Sequence, residues 1–104
     1  MSTAAEGLKQ RLAASPTIGL IGLGYVGLPL AVAFAESGAT VIGVDLDARR
    51  VAAISSGTSF IEDVPAEQLG RLVRSGRLSA RDDVGALKDA DAIVICVPTP
   101  LGKS

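Results

Sequence analysis

Short apolar runs alternate with longer amphipathic segments along the chain. Three of the runs, at 17–21, 40–44 and 92–97, are rich in isoleucine and valine and show no period-two alternation. Such runs are typical of parallel strands that are buried on both faces of a sheet. They predict three strands, the last of them central, and the segment 78–81 predicts a short edge strand.

The segments between these runs carry apolar residues at helical spacing. They predict an amphipathic helix over 4–14, helices over 26–37, 47–56 and 65–75, and a helical turn or short helix over 84–90. Residues suited to helix ends support these bounds. They are Asp47 as an N-cap, Pro65 at a helix start, and Gly38 and Gly57 just after helix ends.

The order of elements from residue 17 onward is β-α-β-α-α-β-α-β, with no internal repeat. Strands that alternate with helices predict an α/β fold, here a partial, Rossmann-like doubly wound parallel sheet with helices on both faces. The expected strand order is 3-2-1-4. A length of 104 residues leaves room for one domain. We therefore expect a helical N-terminal extension over 1–16 and one domain over 17–104.

The glycine loop after the first strand carries the strongest functional signal. Gly22, Gly24 and Gly27 form a G-x-G-x-x-G pattern that follows a predicted strand and opens a predicted helix, and Asp45 ends the next strand. Gly22 permits the tight turn, Gly24 lets the backbone approach a pyrophosphate, and Gly27 lets the helix pack against the strand. The pattern predicts a dinucleotide site at the helix N-terminus. The alternative is a plain tight turn between strand and helix.

Asp45 is the residue expected to select the cofactor. A carboxylate at the end of the second strand can accept hydrogen bonds from both adenosine ribose hydroxyls and repels a 2′-phosphate. NAD is therefore expected rather than NADP, and Arg49 and Arg50 are interpreted as surface or adenine-side residues. The ring of Tyr25 either covers the cofactor or packs on the protein surface.

The loop after the last apolar run is a second candidate region. Pro98 and Pro100 restrict this loop and can present Thr99 rigidly at the carboxyl edge of the sheet, where doubly wound proteins bind ligands. The alternative is that the loop only terminates the strand. Cys96 stands inside the apolar run and is expected to be buried and inert.

Most of the remaining charged side chains are expected to lie on the solvent-exposed surface. Glu62 and Asp63 either face a ligand or belong to an acidic loop. The four arginines at 71, 74, 77 and 81 are interpreted as a solvated face rather than a phosphate site.

The amino-acid composition argues against several classes of function. Ten basic and eleven acidic side chains give a net charge of −1, which argues against binding to nucleic acid or an acidic membrane surface. One cysteine allows no intramolecular disulfide, and no signal peptide is evident in 1–16, so a cytoplasmic location is expected. Four glycines and a proline interrupt the apolar stretch 18–35, which argues against a membrane span. No histidine is present, so this chain holds neither a histidine metal site nor a Ser-His-Asp triad.

Four segments together resemble the amino-terminal part of the UDP-glucose/GDP-mannose dehydrogenase family. They are IGLGYVGLPLA (with the preceding Gly19 and Leu20), GVDLD, GTSFIEDVP and ICVPTPLGK, and the resemblance runs from 17 to 104. The IEDVP segment is more similar to the UDP-N-acetylhexosamine dehydrogenase branch, which includes UDP-N-acetylmannosamine dehydrogenases. Arg81 departs from the threonine of many relatives.

The resemblance implies an NAD-dependent oxidation of the terminal hydroxymethyl group of a nucleotide sugar to a carboxylate, with two NAD consumed. It implies that the pyrophosphate is lined by Gly22, Gly24, Tyr25, Val26 and Gly27, and that Asp45 and Arg50 hold the adenosine ribose. Thr99 would lie near the nicotinamide, and Val97 and Pro98 complete the candidate cofactor-binding residues.

The resemblance also implies that the catalytic and substrate domains are absent from this chain, because the catalytic residues of the family lie beyond residue 104. Cys96 is not the catalytic cysteine of that family. We therefore expect no catalysis by the chain alone, and a homo-oligomer that self-associates through the edge strand or uncovered helix faces. The alternative function is a free-standing dinucleotide-binding module with a sensing or regulatory role.

Overall fold

The structure, a computed structural model, describes residues 15–96. The predicted N-terminal helix over 4–14 and the loop at 97–100 lie outside the described residues. The strands are β1 (Thr17–Ile21), β2 (Thr40–Val44), β3 (Leu78–Arg81) and β4 (Ala92–Ile95). The α-helices are α1 (Gly27–Glu36), α2 (Ala48–Ser55) and α3 (Ala66–Arg74), and a short 3₁₀ helix spans Val84–Leu87.

All four strands are parallel and form one sheet in the order β3-β2-β1-β4. This order confirms the predicted 3-2-1-4 arrangement. The order reverses next to β1, since β2 lies on one side of it and β4 on the other. Because the strands are parallel, their carboxyl ends share one edge, and a crevice at such a reversal is where doubly wound sheets bind ligands.

The main apolar core lies between one face of the sheet and the three α-helices. Its strand residues occupy alternate positions, Ile18 and Leu20 in β1, Val41 in β2, and Leu78 and Ala80 in β3. Alternate strand residues point to the same face, so the α-helices cover this face. The helices contribute Leu28, Ala31, Val32, Ala35, Ile54, Leu69 and Leu72.

The other face of the sheet carries the 3₁₀ helix, which covers part of it over β1. A Cβ placed on Gly19 would lie 2.8 Å from a methyl carbon of Leu87, so this helix rests directly on β1 where a side chain is absent. Helices therefore lie on both faces, three α-helices on one and the 3₁₀ helix on the other. No helix within residues 15–96 is long and apolar enough to cross a membrane.

The prediction that the last strand is central is wrong for the described part of the chain. There β4 pairs with β1 alone and forms an edge of the sheet, and Ile93 and Ile95 are 52% and 66% exposed. An apolar run shows that a strand suits burial on both faces, but it does not show which elements cover it. Sequence therefore placed this strand beside β1, as the confirmed strand order shows, but it did not predict the exposure of the strand.

The α-helices end where the glycine signals predicted. The N–H of Gly38 donates to Ala35 O and the N–H of Ala39 to Phe34 O, the two bonds of a Schellman closure. Gly38 has a φ of +109°, which a residue with a Cβ adopts only at a cost. Gly57 and Gly76 close α2 and α3 with the same pair of bonds. At its other end, α2 is capped by Asp47, whose Oδ1 accepts from the N–H of Arg49 at 2.9 Å.

Candidate functional site

The glycine loop turns the chain sharply from β1 into α1. Gly22 has a φ of +99°, and its N–H donates to Val44 O at 2.8 Å, which ties the loop to the end of β2. Gly27 opens α1 and is buried against this turn. A Cβ on Gly27 would overlap the carbonyl oxygen of Gly22 and lie 3.2 Å from Leu20. This is the close contact between helix and strand that the sequence predicted for the third glycine.

Gly24 has a different environment. A Cβ on Gly24 would make only ordinary contacts, at 3.5 Å from Nη1 of Arg50 and 3.9 Å from its Cζ. The backbone at this position faces a cavity rather than protein. A side chain at Gly24 therefore fits the fold but takes up space in the cavity.

Asp45 follows β2 directly and is the buried charged residue of the site, at 8% exposure. Its Oδ2 accepts from the N–H of Leu23 at 2.8 Å, and its Oδ1 accepts from the N–H of Asp47 at 2.8 Å. Nη1 of Arg50 lies 3.4 Å from Oδ2. Burial alone raises the pKa of Asp45, but the two amide donors and the Arg50 charge outweigh it and hold the pKa below its ordinary value.

Arg50 reaches from α2 back over the glycine loop. Its guanidinium lies beside Asp45, its Nε is 4.0 Å from Oδ2 of Asp47, and its Cζ is 6.0 Å from the centre of the Phe60 ring. These contacts place a half-buried cation at the wall of the cavity. Arg49, in contrast, is almost fully exposed, so of the two arginines only Arg50 belongs to the site.

A cavity of about 510 Å³ opens at the carboxyl edge of the sheet. It is lined by Ile21, Gly22, Gly24, Tyr25, Val26, Val44, Asp45, Leu46, Arg50, Val84 and Cys96. Its size, its mainly apolar wall and its few converging polar groups are typical of cofactor sites. The loop that enters α1 borders it at Gly24, Tyr25 and Val26, where the positive end of the helix dipole favours an anion. In the first turn of α1 the N–H groups of Leu28 and Leu30 donate to Gly24 O and Val26 O, and Pro29 has no N–H. The helix dipole and the open space above Gly24 therefore fit a dinucleotide with its pyrophosphate at the start of α1.

Six residues predicted from the sequence converge on this cavity, namely Gly22, Gly24, Tyr25, Val26, Asp45 and Arg50. Gly27 does not line it, since it is buried beneath the turn. Tyr25 lines the cavity and is largely exposed. Val97, Pro98 and Thr99 lie outside the described residues.

Sequence reasoning missed Leu46 and Val84 as wall residues. They are 89% and 59% exposed, and each is an aliphatic side chain flanked by an aspartate at the carboxyl edge. An apolar residue beside the acid that ends the second strand was the available signal for Leu46. Val84 lies in the 3₁₀ helix that follows β3, and only the sheet order brings it to the cavity.

The expectation of a buried Cys96 is wrong. Cys96 is half-buried and lines the cavity, because β4 ends one residue before it. Its N–H donates to Ile21 O at 2.7 Å, which continues the ladder to β1.

The charged residues outside the cavity behave as surface. Nη2 of Arg71 lies 3.1 Å from a carboxylate oxygen of Glu36, and Nη1 of Arg77 donates to Gly38 O at 2.7 Å. The four arginines at 71, 74, 77 and 81 are exposed, as predicted. Glu62 and Asp63 are exposed in the loop before α3 and do not line the cavity.

Comparison with known proteins shows the family of the chain. Residues 16–104 match the UDP-glucose/GDP-mannose dehydrogenase family, NAD binding domain. UDP-N-acetyl-D-mannosamine dehydrogenase of Pyrococcus horikoshii is 40% identical over 85 residues, which cover 81% of this chain and 20% of that protein. The corresponding enzyme of Yersinia pestis is 44% identical over 85 residues, with the same coverage.

Solved structures share the fold as well. A ternary complex of GDP-mannose dehydrogenase from Pseudomonas aeruginosa has a TM-score of 0.75 and 38% identity, covering 83% of this chain and 20% of that one. A UDP-glucose dehydrogenase from Pyrobaculum islandicum has a TM-score of 0.73 and 37% identity, covering 83% and 21%. The chain thus spans about a fifth of the length of these relatives. It belongs to the UDP-glucose/GDP-mannose dehydrogenase family and matches the NAD-binding domain of that family.

Proposed function

We propose that this chain is the NAD-binding portion of a nucleotide-sugar 6-dehydrogenase. The observation that carries the proposal is the convergence of Gly24, Asp45 and Arg50 with the N-terminus of α1 on one cavity at the carboxyl edge of the sheet. The complete enzyme would oxidise the terminal hydroxymethyl group of a UDP-sugar to a carboxylate. This four-electron oxidation consumes two NAD and one water, since each NAD accepts one hydride.

The residues of the cavity divide into two groups by the part of NAD that each would hold. The pyrophosphate would lie over Gly24 and against the first turn of α1, next to Tyr25 and Val26, where helix amides and the helix dipole favour an anion. Asp45 would accept from the adenosine ribose, and the Arg50 cation beside it would face the ribose and pyrophosphate. Gly22 and Gly27 would shape the turn that presents these groups.

The nicotinamide half would extend toward the segment that follows β4. Val97, Pro98 and Thr99 are proposed to lie there because β4 ends at the same edge of the sheet as β1. The substrate would approach from the same side, since hydride transfer requires contact with the nicotinamide.

The names of the relatives support a UDP-sugar substrate. Several are UDP-N-acetyl-D-mannosamine dehydrogenases, and one from Haloferax volcanii is a UDP-glucose 6-dehydrogenase with 36% identity over 83 residues. The segment IEDVP at 61–65 favours the N-acetylhexosamine branch. We further propose a cytoplasmic enzyme that works as a homo-oligomer, and a 104-residue chain that is inactive alone.

Calorimetric titration of the chain with NAD and NADP tests the cofactor assignment. NAD is expected to bind, and NADP is expected to bind at least roughly tenfold more weakly, because a 2′-phosphate would meet the Asp45 carboxylate. Tighter binding of NADP than of NAD would contradict the role given to Asp45. Failure to bind either dinucleotide would contradict the cofactor site itself.

The substrate assignment needs any longer product of the gene. UDP-N-acetylmannosamine, UDP-N-acetylglucosamine and UDP-glucose would be supplied separately with NAD, and the absorbance of the reduced nicotinamide followed. Two reduced nicotinamides per sugar carboxylate are expected. A product that binds NAD but reduces none with any UDP-sugar would favour the sensing or regulatory module.

A further inference from the structure

The carboxylate of Asp45 is already engaged with the protein before any ligand arrives. It bonds to the amide of Leu23, 22 residues earlier in the chain, and to the amide of Asp47, two residues later. The first bond joins the end of β2 to the middle of the glycine loop. Asp45 therefore connects the end of β2 to the glycine loop independently of any contact with a ribose.

The bond to Leu23 is a buried one. Leu23 is fully buried, and its side chain packs over β2, where a Cβ on Gly43 would lie 2.6 Å from Leu23 Cδ2. Its N–H therefore has no route to water while the loop keeps this conformation. A buried amide without an acceptor is strongly disfavoured. Loss of the carboxylate would therefore destabilise this loop conformation and favour another.

The glycine loop is held to β2 at two successive amides. The N–H of Gly22 donates to Val44 O, and the N–H of Leu23 donates to Asp45 Oδ2, both at 2.8 Å. The first acceptor is backbone and persists in any variant. The second acceptor is a side chain, so substitution at Asp45 removes the hydrogen bond of Leu23. The hydrogen bond of Gly22 remains and serves as an internal reference.

We propose that Asp45 is a positioning residue for the glycine loop, fixing through Leu23 the conformation that receives the pyrophosphate. This inference rests on the proposed NAD site and deepens it. An ionised carboxylate offers about four acceptor positions, and Leu23, Asp47 and Arg50 use three of them. One position is left, which suffices for one ribose hydroxyl rather than for both of those expected from the sequence, so ribose binding and loop positioning are compatible. Part of the effect of Asp45 on affinity should then persist for a dinucleotide that offers Asp45 no hydroxyl.

Two substitutions separate the tasks. In D45N the amide oxygen can still accept from Leu23, while the NH₂ group takes the place of the oxygen that faces Asp47. The Asp47 amide is only part-buried and can turn to water instead. In D45A no acceptor is left for Leu23. If D45A does not fold, D45S is used in its place. The serine hydroxyl lies one bond nearer the backbone than Asp45 Oδ2 and is too short to reach the Leu23 amide, so D45S also removes this hydrogen bond. D47N is the matched control, since it removes one negative charge near the site without touching the loop.

The binding test uses two ligands, NAD and an NAD analogue that lacks the 2′- and 3′-hydroxyls of the adenosine ribose. For the analogue, D45N is expected to bind like the parent chain, whereas D45A is expected to bind roughly tenfold more weakly, the scale of one lost buried hydrogen bond. For NAD, both variants are expected to weaken, and D45A more than D45N. D47N should change neither ligand by more than about twofold.

Hydrogen exchange of the Leu23 amide gives a readout that needs no ligand. The amide is expected to be protected in the parent chain and in D45N, and to exchange at least roughly tenfold faster in D45A. Gly22, which donates to backbone, should keep its protection in all of them. The proposal is overturned if D45A binds the analogue as tightly as D45N does, or if the Leu23 amide stays protected in D45A. If neither NAD nor the analogue binds the parent chain, the proposed function is wrong. The exchange rate of the Leu23 amide still tests whether Asp45 fixes the loop conformation.

Discussion

Two glycines of the same loop are constrained for opposite reasons at the residue scale. Gly27 is surrounded by protein, since a Cβ there would overlap Gly22 O. Gly24 has open space beside it, and its nearest neighbour is the flexible Arg50 side chain. One glycine is therefore required by the fold, and the other by the ligand proposed to lie over it.

The pair of variants G27A and G24V tests this distinction. G27A is expected to lower the free energy of unfolding by about 3 kcal/mol or more, the upper range for overpacked sites, because backbone must move to admit the methyl group. G24V is expected to change it by less than about 1 kcal/mol and to abolish measurable NAD binding. Urea unfolding and calorimetric titration of both variants measure the two effects. NAD binding by G24V at parental affinity would refute the assignment of Gly24.

Asp45 should also shape the response of the fold to acid. Because its pKa in the folded chain lies below the ordinary value, the ionised carboxylate stabilises the fold. That stabilisation is complete above the pKa of Asp45 in the unfolded chain, about 3.9, and disappears as the pH falls through the lower pKa of the folded chain. The stability difference between the parent chain and D45N is therefore expected to be largest above about pH 5 and to shrink below ~pH 4. Urea midpoints at several pH values measure it, and a difference that stays constant down to pH 3 or below would contradict the argument.

Much of the candidate site could be predicted residue by residue, because the glycine pattern and the acidic residue at the end of the second strand are local signals. Gly22, Gly24 and Asp45 were found in this way, and they meet in the cavity. The bond from Leu23 to Asp45 could not be predicted, since it depends on how β1 and β2 pair in register. Val84 was missed because it follows β3 and reaches the cavity only through the packing of the 3₁₀ helix on the sheet.

At the scale of elements, helix ends were predictable because caps use short-range chemistry. The predicted bounds of α1, α2 and α3 fall within one residue of those in the structure. The place of β4 beside β1 was predicted, but its exposure was not, because its apolar run fits either a covered strand or an exposed edge. Local chemistry thus decides where elements begin and end, and packing decides where they lie.

The N-cap of α2 offers a test at this scale. D47A removes the side-chain acceptor for the Arg49 amide and is expected to destabilise the chain by about 1 kcal/mol. D47N keeps an acceptor and is expected to cost only a few tenths of that amount. Thermal unfolding of the parent chain, D47A and D47N measures the difference in stability. Equal losses in D47A and D47N would show that charge near Arg49 and Arg50, rather than capping, is what Asp47 contributes.

At the scale of the whole molecule, the sheet has two unlike edges. Edge strand β3 is short and carries Ser79 and Arg81 on its exposed positions, a composition that discourages pairing with another chain. Edge strand β4 exposes Ile93 and Ile95 on the same face of the sheet and is paired on one side only within residues 15–96. An apolar, unpaired edge of this kind favours association with another copy.

The 104-residue chain is therefore expected to self-associate through β4 as its concentration rises. I93K and I95K place a lysine on this edge, where a charge opposes both strand pairing and apolar contact, so both variants should move toward the monomer. L46K is the control, because Leu46 is also an exposed aliphatic residue, but it lines the cavity and follows β2, which β1 separates from β4. Sedimentation velocity over a wide concentration range measures the average mass of each protein. A parent chain that stays monomeric throughout would contradict the prediction, and a loss of association in L46K equal to that in I93K would place the contact elsewhere than on β4.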